Sequence, residues 1–383
     1  MRASLLNFIH CVSCGGELTL LPVREPDRED DKVEIKEGLL TCSGCGQWFP
    51  LREFIPELLP DHLRNWQDDL VFLETHQEKL PGESFNRLLE ESRQKVSGSL
   101  AVDPAEDQAN HHKKSEMSIK TKIDDPFFFG PGLTLPFNPG DTGFTMRILG
   151  RMGNVLPLLE LNRGEVVLDS GPGYAWSTEW FTKMGLIAIG VDICRTYMDI
   201  GMQRMEYMVQ AGLPRPHLVV ADIEHLPLKD QVVNAVLCFD SFHHIPNRKI
   251  AMGHFYRTLK ESGNIVLAEP GGTHEFARIS RKVMDKYGIL EKGMELNDIY
   301  QYCEGLNVIP PEQHFILNIQ NKEQNKNLSA DFIFSHSYID CNVFVVKKRQ
   351  GETGRVISHS EYKRKVKQRL KWLLKWLFIK IFH

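Results

Sequence analysis

The chain lacks several features that would each set its class. No stretch of about eighteen apolar residues occurs, so no segment is expected to cross a bilayer as a helix. Lys and Arg number 46 against 50 Asp and Glu, a net charge of -4 with an isoelectric point near 6.4, so no global positive field draws the protein to nucleic acid. Eight cysteines in 383 residues are too few for a disulfide scaffold. No internal repeat is visible. The opening "MRASLLNFIHCVSC" has an apolar run far shorter than a secretory core and no small-residue cleavage site, so a cytoplasmic protein is expected.

What remains is a composition of 42% hydrophobic and 25% charged residues, which suits one large domain with one or two small modules. The small module comes first. Two CxxC pairs, Cys11/Cys14 and Cys42/Cys45, are separated by a charged, turn-rich stretch. Each pair forms a tight knuckle whose thiolates face one ion, and Gly15 and Gly46 permit the left-handed turn that follows. Four thiolates complete a tetrahedron around zinc and leave no open position, so the expected ion is structural and not catalytic. The segment "CVSCGGELTL...TCSGCGQWFPLREFIPELLP" resembles the Trm-type zinc-binding activator of tRNA and translation-factor methyltransferases, in its knuckles, its Phe49-Pro50 pair and its Ile55 to Pro60 strand. The resemblance covers about residues 1–60 and implies a methyltransferase as neighbour.

Residues 61–96 carry helical periodicity, with Leu63, Trp66, Leu70 and Leu73 on one face. Residues 97–125 are polar and without period and read as a linker or mobile lid; His111 and His112 within them read as solvated. The aromatic, Pro- and Gly-rich stretch 126–140 reads as a loop wrapped around a pocket. The whole of 61–141 is thus a helical segment, linker and lid-like loop.

From residue 142 strands alternate with helices. "EVVLD", "LIAIGVD", "HLVVAD", "VVNAVLCFD" and "GNIVLAEP" are almost wholly apolar, which predicts a parallel sheet buried on both faces: a doubly wound, Rossmann-like α/β domain. In such a sheet ligands bind beyond the C-terminal ends of the strands. Those ends carry Asp169-Ser-Gly171-Pro-Gly173, then Asp192, Asp222, Asp240 and Glu269. Asp192 lies where a carboxylate accepts from both hydroxyls of a ribose, and Asp222 where one accepts from an adenine amino group. A dinucleotide would need a third small residue at the sixth position of the glycine loop, which is Trp176 here. S-adenosylmethionine has no pyrophosphate and needs only close backbone at the loop.

The same residues resemble the class I S-adenosylmethionine-dependent methyltransferases. "VLDSGPGYA" stands where the family has a motif close to "VLDLGCGTG", with Ala175 at the third glycine, and "DIEHLPLKDQVVNAVLCFDSFHHIPN" follows the family's stretch from third to fourth strand. The resemblance covers about residues 142–348, with "CNVFVVKK" as the final strand. It implies that Asp169, Gly171 and Gly173 face the methionine moiety, that Asp192 binds ribose, and that Asp222 and the Ile223 backbone bind adenine; Asp240 joins this cofactor-binding set. His243 and His244 follow strand four, where the family faces its acceptor, and are the candidate bases or orienting groups.

The tail "EYKRKVKQRLKWLLKWLFIKIFH" places Val366, Leu370, Leu373, Leu374, Leu377 and Ile381 on one helical face, beside basic residues and two tryptophans. That pattern predicts an interfacial helix over 361–383 drawn to anionic lipid, which would hold the protein on the inner face of the membrane. The expected activity is methylation, by preference O-methylation, of a small-molecule, glycan or lipid-linked acceptor, with nucleic acid disfavoured by the acidic balance. Two other readings remain open. One is a tRNA or translation-factor methyltransferase, in the zinc module's usual company; the other is a non-catalytic binding protein on a methyltransferase fold, for which the Ser-Gly-Pro-Gly loop is the best support.

Overall fold

A computed structural model describes residues 1–23, 34–79, 82–97, 104–118, 132–317 and 339–351. The helix expected over 361–383 lies outside them. Among the described residues no helix is long and apolar enough to cross a membrane.

Strands β1 (Leu18–Pro22), β2 (Gly38–Cys42), β3 (Trp48–Arg52) and β4 (Ile55–Pro56) form an antiparallel sheet in chain order. Helices α1 (Trp66–His76) and α2 (Glu83–Ser97) pack on it as a hairpin, burying Leu70, Phe72, Leu73, Leu88 and Leu89 with Trp48. Of the apolar spacing read in the sequence, Leu70 and Leu73 lie on this buried face and Trp66 at its margin, whereas Leu63 precedes the helix and packs in a different cluster. Asn65 starts α1 by accepting from the Asp68 amide.

The polar stretch that reads as a linker contains a helix, α3 (Pro104–Met117). Its anchors are polar and distant in sequence, which is why no apolar period announces it. The buried Lys113 ammonium donates to Asp222 (2.8 Å) and Glu224 (2.7 Å), and His112 Nδ1 donates to the Gly288 carbonyl (2.8 Å). His112 is thus a packing contact and not a solvated side chain.

The large sheet comprises β5 (Val166–Ser170), β6 (Ile187–Asp192), β7 (His217–Val220), β8 (Val233–Phe239), β9 (Leu259–Glu269), β10 (Glu312–Leu317) and β11 (Ile339–Lys347), in the order β10-β11-β9-β8-β5-β6-β7. The first five are parallel; β11 runs antiparallel to both β9 and β10. Helices α4 (Thr142–Val155), α5 (Trp176–Lys183), α6 (Arg195–Gln210), α7 (Arg248–Thr258), α8 (Arg278–Tyr287) and α9 (Leu296–Tyr302) complete the layers. One face buries Ile148, Met152 and Phe181 against Val167 and Leu237. The chain order reverses between β5 and β8, which opens the crevice that holds the site.

The small module is fused to the large sheet through one core. Leu5, Ile9, Leu40 and Phe49 pack in the same cluster as Val219, Leu228, Phe242 and Phe255. Backbone joins them as well. Glu57 pairs in parallel with Val220, the Leu58 amide donates to the Val220 carbonyl (2.8 Å), and Ile9 pairs with Leu228. The chain after β4 thus covers the exposed edge of β7, an edge that would otherwise offer unpaired amides and carbonyls to other chains. Arg195 adds a charged tie, to Glu57 at 2.6 Å.

His217 sits in this junction, its ring 6.2 Å from that of Phe8. Burial, helped by the charge of Arg2, lowers its pKa to about 3. A depressed imidazole pKa means that the unfolded chain binds the proton first, so this contribution is complete above pH 6.5 and is lost as pH falls from 6.5 toward 3. The slope from this group is up to about 1.4 kcal/mol per pH unit. Urea unfolding at pH 7 and pH 5 checks this: His217→Phe is expected to flatten the difference, and an unchanged difference would show that other groups carry it.

Candidate active site

The C-terminal ends of β5, β6 and β8 and the turn after β7 open into one cavity of about 1010 Å³, walled otherwise by α3, α4 and the segment 270–291. One end of it is the loop after β5. Gly171 has φ +66° and Gly173 φ +55°, conformations costly for any residue with a Cβ. A Cβ on Gly171 would lie 2.6 Å from that of Ser241, whereas one on Gly173 would point into open space, so the two glycines let the loop lie against β8 and leave room above it. Pro172 closes the turn: its carbonyl accepts from the Ala175 amide at 3.0 Å, leading the chain into α5. Ala175, at the position of the missing glycine, still adopts φ +56°.

Trp176 lines the cavity at the start of α5, edge-on to Trp180 (5.5 Å) and Phe239 (5.7 Å).

The strand-end carboxylates divide into distinct roles. Asp169, 1% exposed, is turned behind the loop and accepts from Ser177 Oγ (2.7 Å) and Thr178 Oγ1 (2.6 Å); burial raises its pKa to about 6 against those hydrogen bonds. It does not line the cavity and so holds α5 to the loop, in place of the direct ligand contact implied by the resemblance. Asp192 does line it. Its Oδ2 accepts from the Gly173 amide (3.0 Å) and Oδ1 from the Cys194 amide (2.8 Å), and burial raises its pKa to about 6. Asp222 also lines it, with Ile223 beside it, but its carboxylate is already engaged by Lys113, by His225 Nδ1 (2.7 Å) and by the Glu224 amide (3.0 Å). Burial would raise its pKa, yet His225 and Lys113 hold it below the usual range. An adenine amino group would share this carboxylate with Lys113. Asp240, at φ +50°, faces the cavity and accepts from Arg151 of α4 at 2.8 Å.

The opposite end is built on the turn after β8. Glu269, 0% exposed, accepts from the amides of Ser241 (3.2 Å), Phe242 (2.9 Å) and His243 (3.4 Å), and from His243 Nδ1 (2.7 Å). This one carboxylate holds the turn and the His243 ring. Burial would lower the pKa of His243, but Glu269 and Glu291 outweigh it and raise the value to about 10. His244, whose Nδ1 donates to the Leu290 carbonyl (2.6 Å), is lowered to about 4 by burial and by the charge of His243. His274 Nε2 meets Glu291 at 2.5 Å.

Lys113, Arg151, His274 and Glu291 were not legible in the sequence as site residues. The last two lie in the segment after "AEP", where nothing local singles them out. They are brought together by backbone: Gly271 pairs with Met294, and a Cβ on Gly293 would lie 2.0 Å from the Gly271 carbonyl.

The cysteine cluster is separate. Cys11 Sγ lies 3.7 Å from Cys45 Sγ, and Cys14 Sγ 3.5 Å from Cys42 Sγ. Sulfurs at about 2.3 Å from one tetrahedral ion would be about 3.8 Å apart, so the four fit zinc with little movement. Gly15 and Gly46 take φ +73° and +75° after their knuckles, as expected. The amides of Gly16 (3.4 Å) and Gly44 (3.3 Å) donate to Cys14 and Cys42 Sγ, which supports thiolate charge.

Comparison with known proteins bears on both parts. The methyltransferase domain family matches residues 168–267, and the Trm112p-like protein family matches residues 2–53. Among curated relatives, a demethylmenaquinone methyltransferase of Thermobifida fusca is 29% identical over 106 residues, covering 28% of this chain and 44% of its own. A malonyl-[acyl-carrier protein] O-methyltransferase of Hamiltonella defensa is 26% identical over 141 residues, covering 36% and 50%. The chain spans about half the length of the curated relatives it matches. Among solved structures, a phosphoethanolamine N-methyltransferase of Haemonchus contortus with S-adenosyl-L-methionine covers 61% of this chain and 60% of its own, at 15% identity and TM-score 0.45. A complex of the Haloferax volcanii Trm112 methyltransferase activator with a methyltransferase covers 54% and 93%, at 16% identity and TM-score 0.42.

Proposed function

From a chain that carries a methyltransferase domain at residues 168–267 and a Trm112p-like module at residues 2–53, we propose an enzyme that moves the methyl group of S-adenosylmethionine to a hydroxyl of a small or lipid-linked acceptor. The observation that carries this reading is one cavity with two chemically different ends. The Gly171–Gly173 loop, Asp192 and Asp222 border one end; His243, His244 and Glu291 border the other.

S-adenosylmethionine supplies a methyl carbon made electrophilic by its sulfonium. The residues present suit it: open space above Gly173 for the amino-acid tail, and the Asp192 carboxylate for ribose hydroxyls. What the chain itself contributes is alignment and exclusion of water. The Arg204 guanidinium holds the carbonyls of Gly132, Leu133 and Leu135, which keeps Leu135 in the cavity wall beside Phe144 of α4. Lys113 draws α3 over the adenine end. His243 and His244 face the acceptor and orient its hydroxyl. Two relatives are named for a small or carrier-bound acceptor, demethylmenaquinone and malonyl-[acyl-carrier protein], and the second is named an O-methyltransferase, which supports an oxygen atom of such an acceptor as the receiving group. The four cysteines hold zinc in a structural role, in support of the catalytic sheet on which they pack.

Calorimetry with S-adenosylmethionine tests the reading. Wild type is expected to bind, and Asp192→Ala to bind about 100-fold more weakly, since hydrogen bonds to a charged group contribute about 1.5–3 kcal/mol each. Absence of binding by wild type, or equal binding by the variant, would count against it.

A further inference from the structure

The acceptor end of the cavity holds more ligating chemistry than orientation of a hydroxyl requires. One donor atom from each of His243, His244 and Glu291 lies within 4.8 Å of the other two. Both imidazoles already have Nδ1 engaged, and His244 Nδ1 also lies 3.9 Å from the Glu291 carboxylate and 3.7 Å from that of Glu116. His244 Nδ1 meets the Leu290 carbonyl at 2.6 Å; a carbonyl can only accept, so the proton is on Nδ1 and the lone pair is on Nε2. His243 Nδ1 meets the Glu269 carboxylate at 2.7 Å, which leaves Nε2 directed at Glu291, 3.6 Å away. A histidine whose outer nitrogen is held by a carboxylate or a carbonyl, with the inner one free, is the arrangement that orients metal ligands. His274, 2.5 Å from Glu291, fixes that carboxylate in turn.

We propose that His243, His244 and Glu291 form a divalent transition-metal site at the acceptor end of the cavity, which takes the oxygen of a hydroxyl acceptor as a further ligand. Two imidazoles and one carboxylate suit borderline ions such as Zn²⁺, Fe²⁺ or Co²⁺; Mg²⁺ and Ca²⁺ prefer all-oxygen shells. Three protein ligands facing a cavity leave open positions, unlike the closed set of four thiolates in the N-terminal module. A cation there polarises a bound hydroxyl and lowers its pKa, which favours oxygen over carbon acceptors.

Naming the further ligand as an acceptor oxygen rests on the methyltransferase reading; the ion site itself does not. The test adds Co²⁺ to the full chain with its zinc in place and reads the visible spectrum and calorimetry. One saturable equivalent is expected, without the intense charge-transfer band of a thiolate site. Glu291→Gln and His244→Asn are each expected to weaken Co²⁺ at least about 10-fold while S-adenosylmethionine affinity and near-ultraviolet dichroism stay unchanged. No Co²⁺ binding by wild type, a thiolate spectrum, or binding indifferent to both substitutions overturns the site and leaves a hydrogen-bonded histidine–glutamate cluster. Wild type that binds Co²⁺ but not S-adenosylmethionine would overturn the methyltransferase reading instead.

Discussion

Cys42→Ser is expected to abolish the proposed zinc binding and unfold residues 1–60, and to lower the stability of the large sheet domain with them. The proposed site has four ligands, and among the described residues no further His, Cys, Asp or Glu joins the cluster, so losing one thiolate opens a shell whose binding energy is folding energy. In small zinc modules that energy is on the order of 10 kcal/mol, comparable to the whole stability of a domain. The damage does not stop at the module, because Cys11 and Cys42 belong to the same buried cluster as Val219, Leu228 and Phe255. Once residues 55–58 detach, the edge of β7 loses the Leu58–Val220 hydrogen bond, and the strand that leads to Asp222 loses its cover. Zinc content by elemental analysis and thermal unfolding check this together. A variant without zinc that melts at the wild-type temperature would show that the module is an ornament on an independent domain. Prolonged chelation of wild type is expected to reproduce the variant's melt.

Glu269→Ala is expected to cost about 3–5 kcal/mol, the range for stranding a buried charge by removing its partner. Glu269 is fully buried and accepts four donors, three of them successive backbone amides of the turn that carries both histidines. Its removal leaves the His243 imidazolium with Glu291 alone at 3.6 Å and three amides without their acceptor. Glu269→Gln keeps the shape and one carbonyl oxygen and is expected to lose less. Urea unfolding at neutral pH gives the sign and size; a loss below about 1 kcal/mol, the worth of an ordinary hydrogen bond, would mean that the turn is held elsewhere. Glu269 acts through His243, so it is a positioning residue.

Much of the donor end was legible because its signals are local. A buried parallel strand is a continuous apolar run, and its end is marked by the first acid, so Asp169, Asp192 and Asp222 could be read in order. Their side chains could not be assigned in the same way. Asp169 turns to Ser177 and Thr178 because α5 starts close behind it, and Asp222 is met by Lys113 from a helix more than a hundred residues earlier in the chain. Helix α3 was missed for the same reason: its sequence has no apolar face, and its anchors are an ammonium between two acids and an imidazole on a carbonyl.

The sequence by itself determined the four-cysteine module, the parallel sheet and the glycine loop, since each depends on residues within a few positions of one another and on the steric limits of backbone turns. Even Ala175, which departs from the expected glycine, sits in a loop whose turn it continues at φ +56°. Tertiary structure alone decided the acceptor end. His243 and His244 acquire their protonation and direction from Glu269, Leu290 and Glu291, groups 26 to 48 residues away. Charge and hydrogen bonding act through space, and only the pairing of Gly271 with Met294 brings that segment to the histidines.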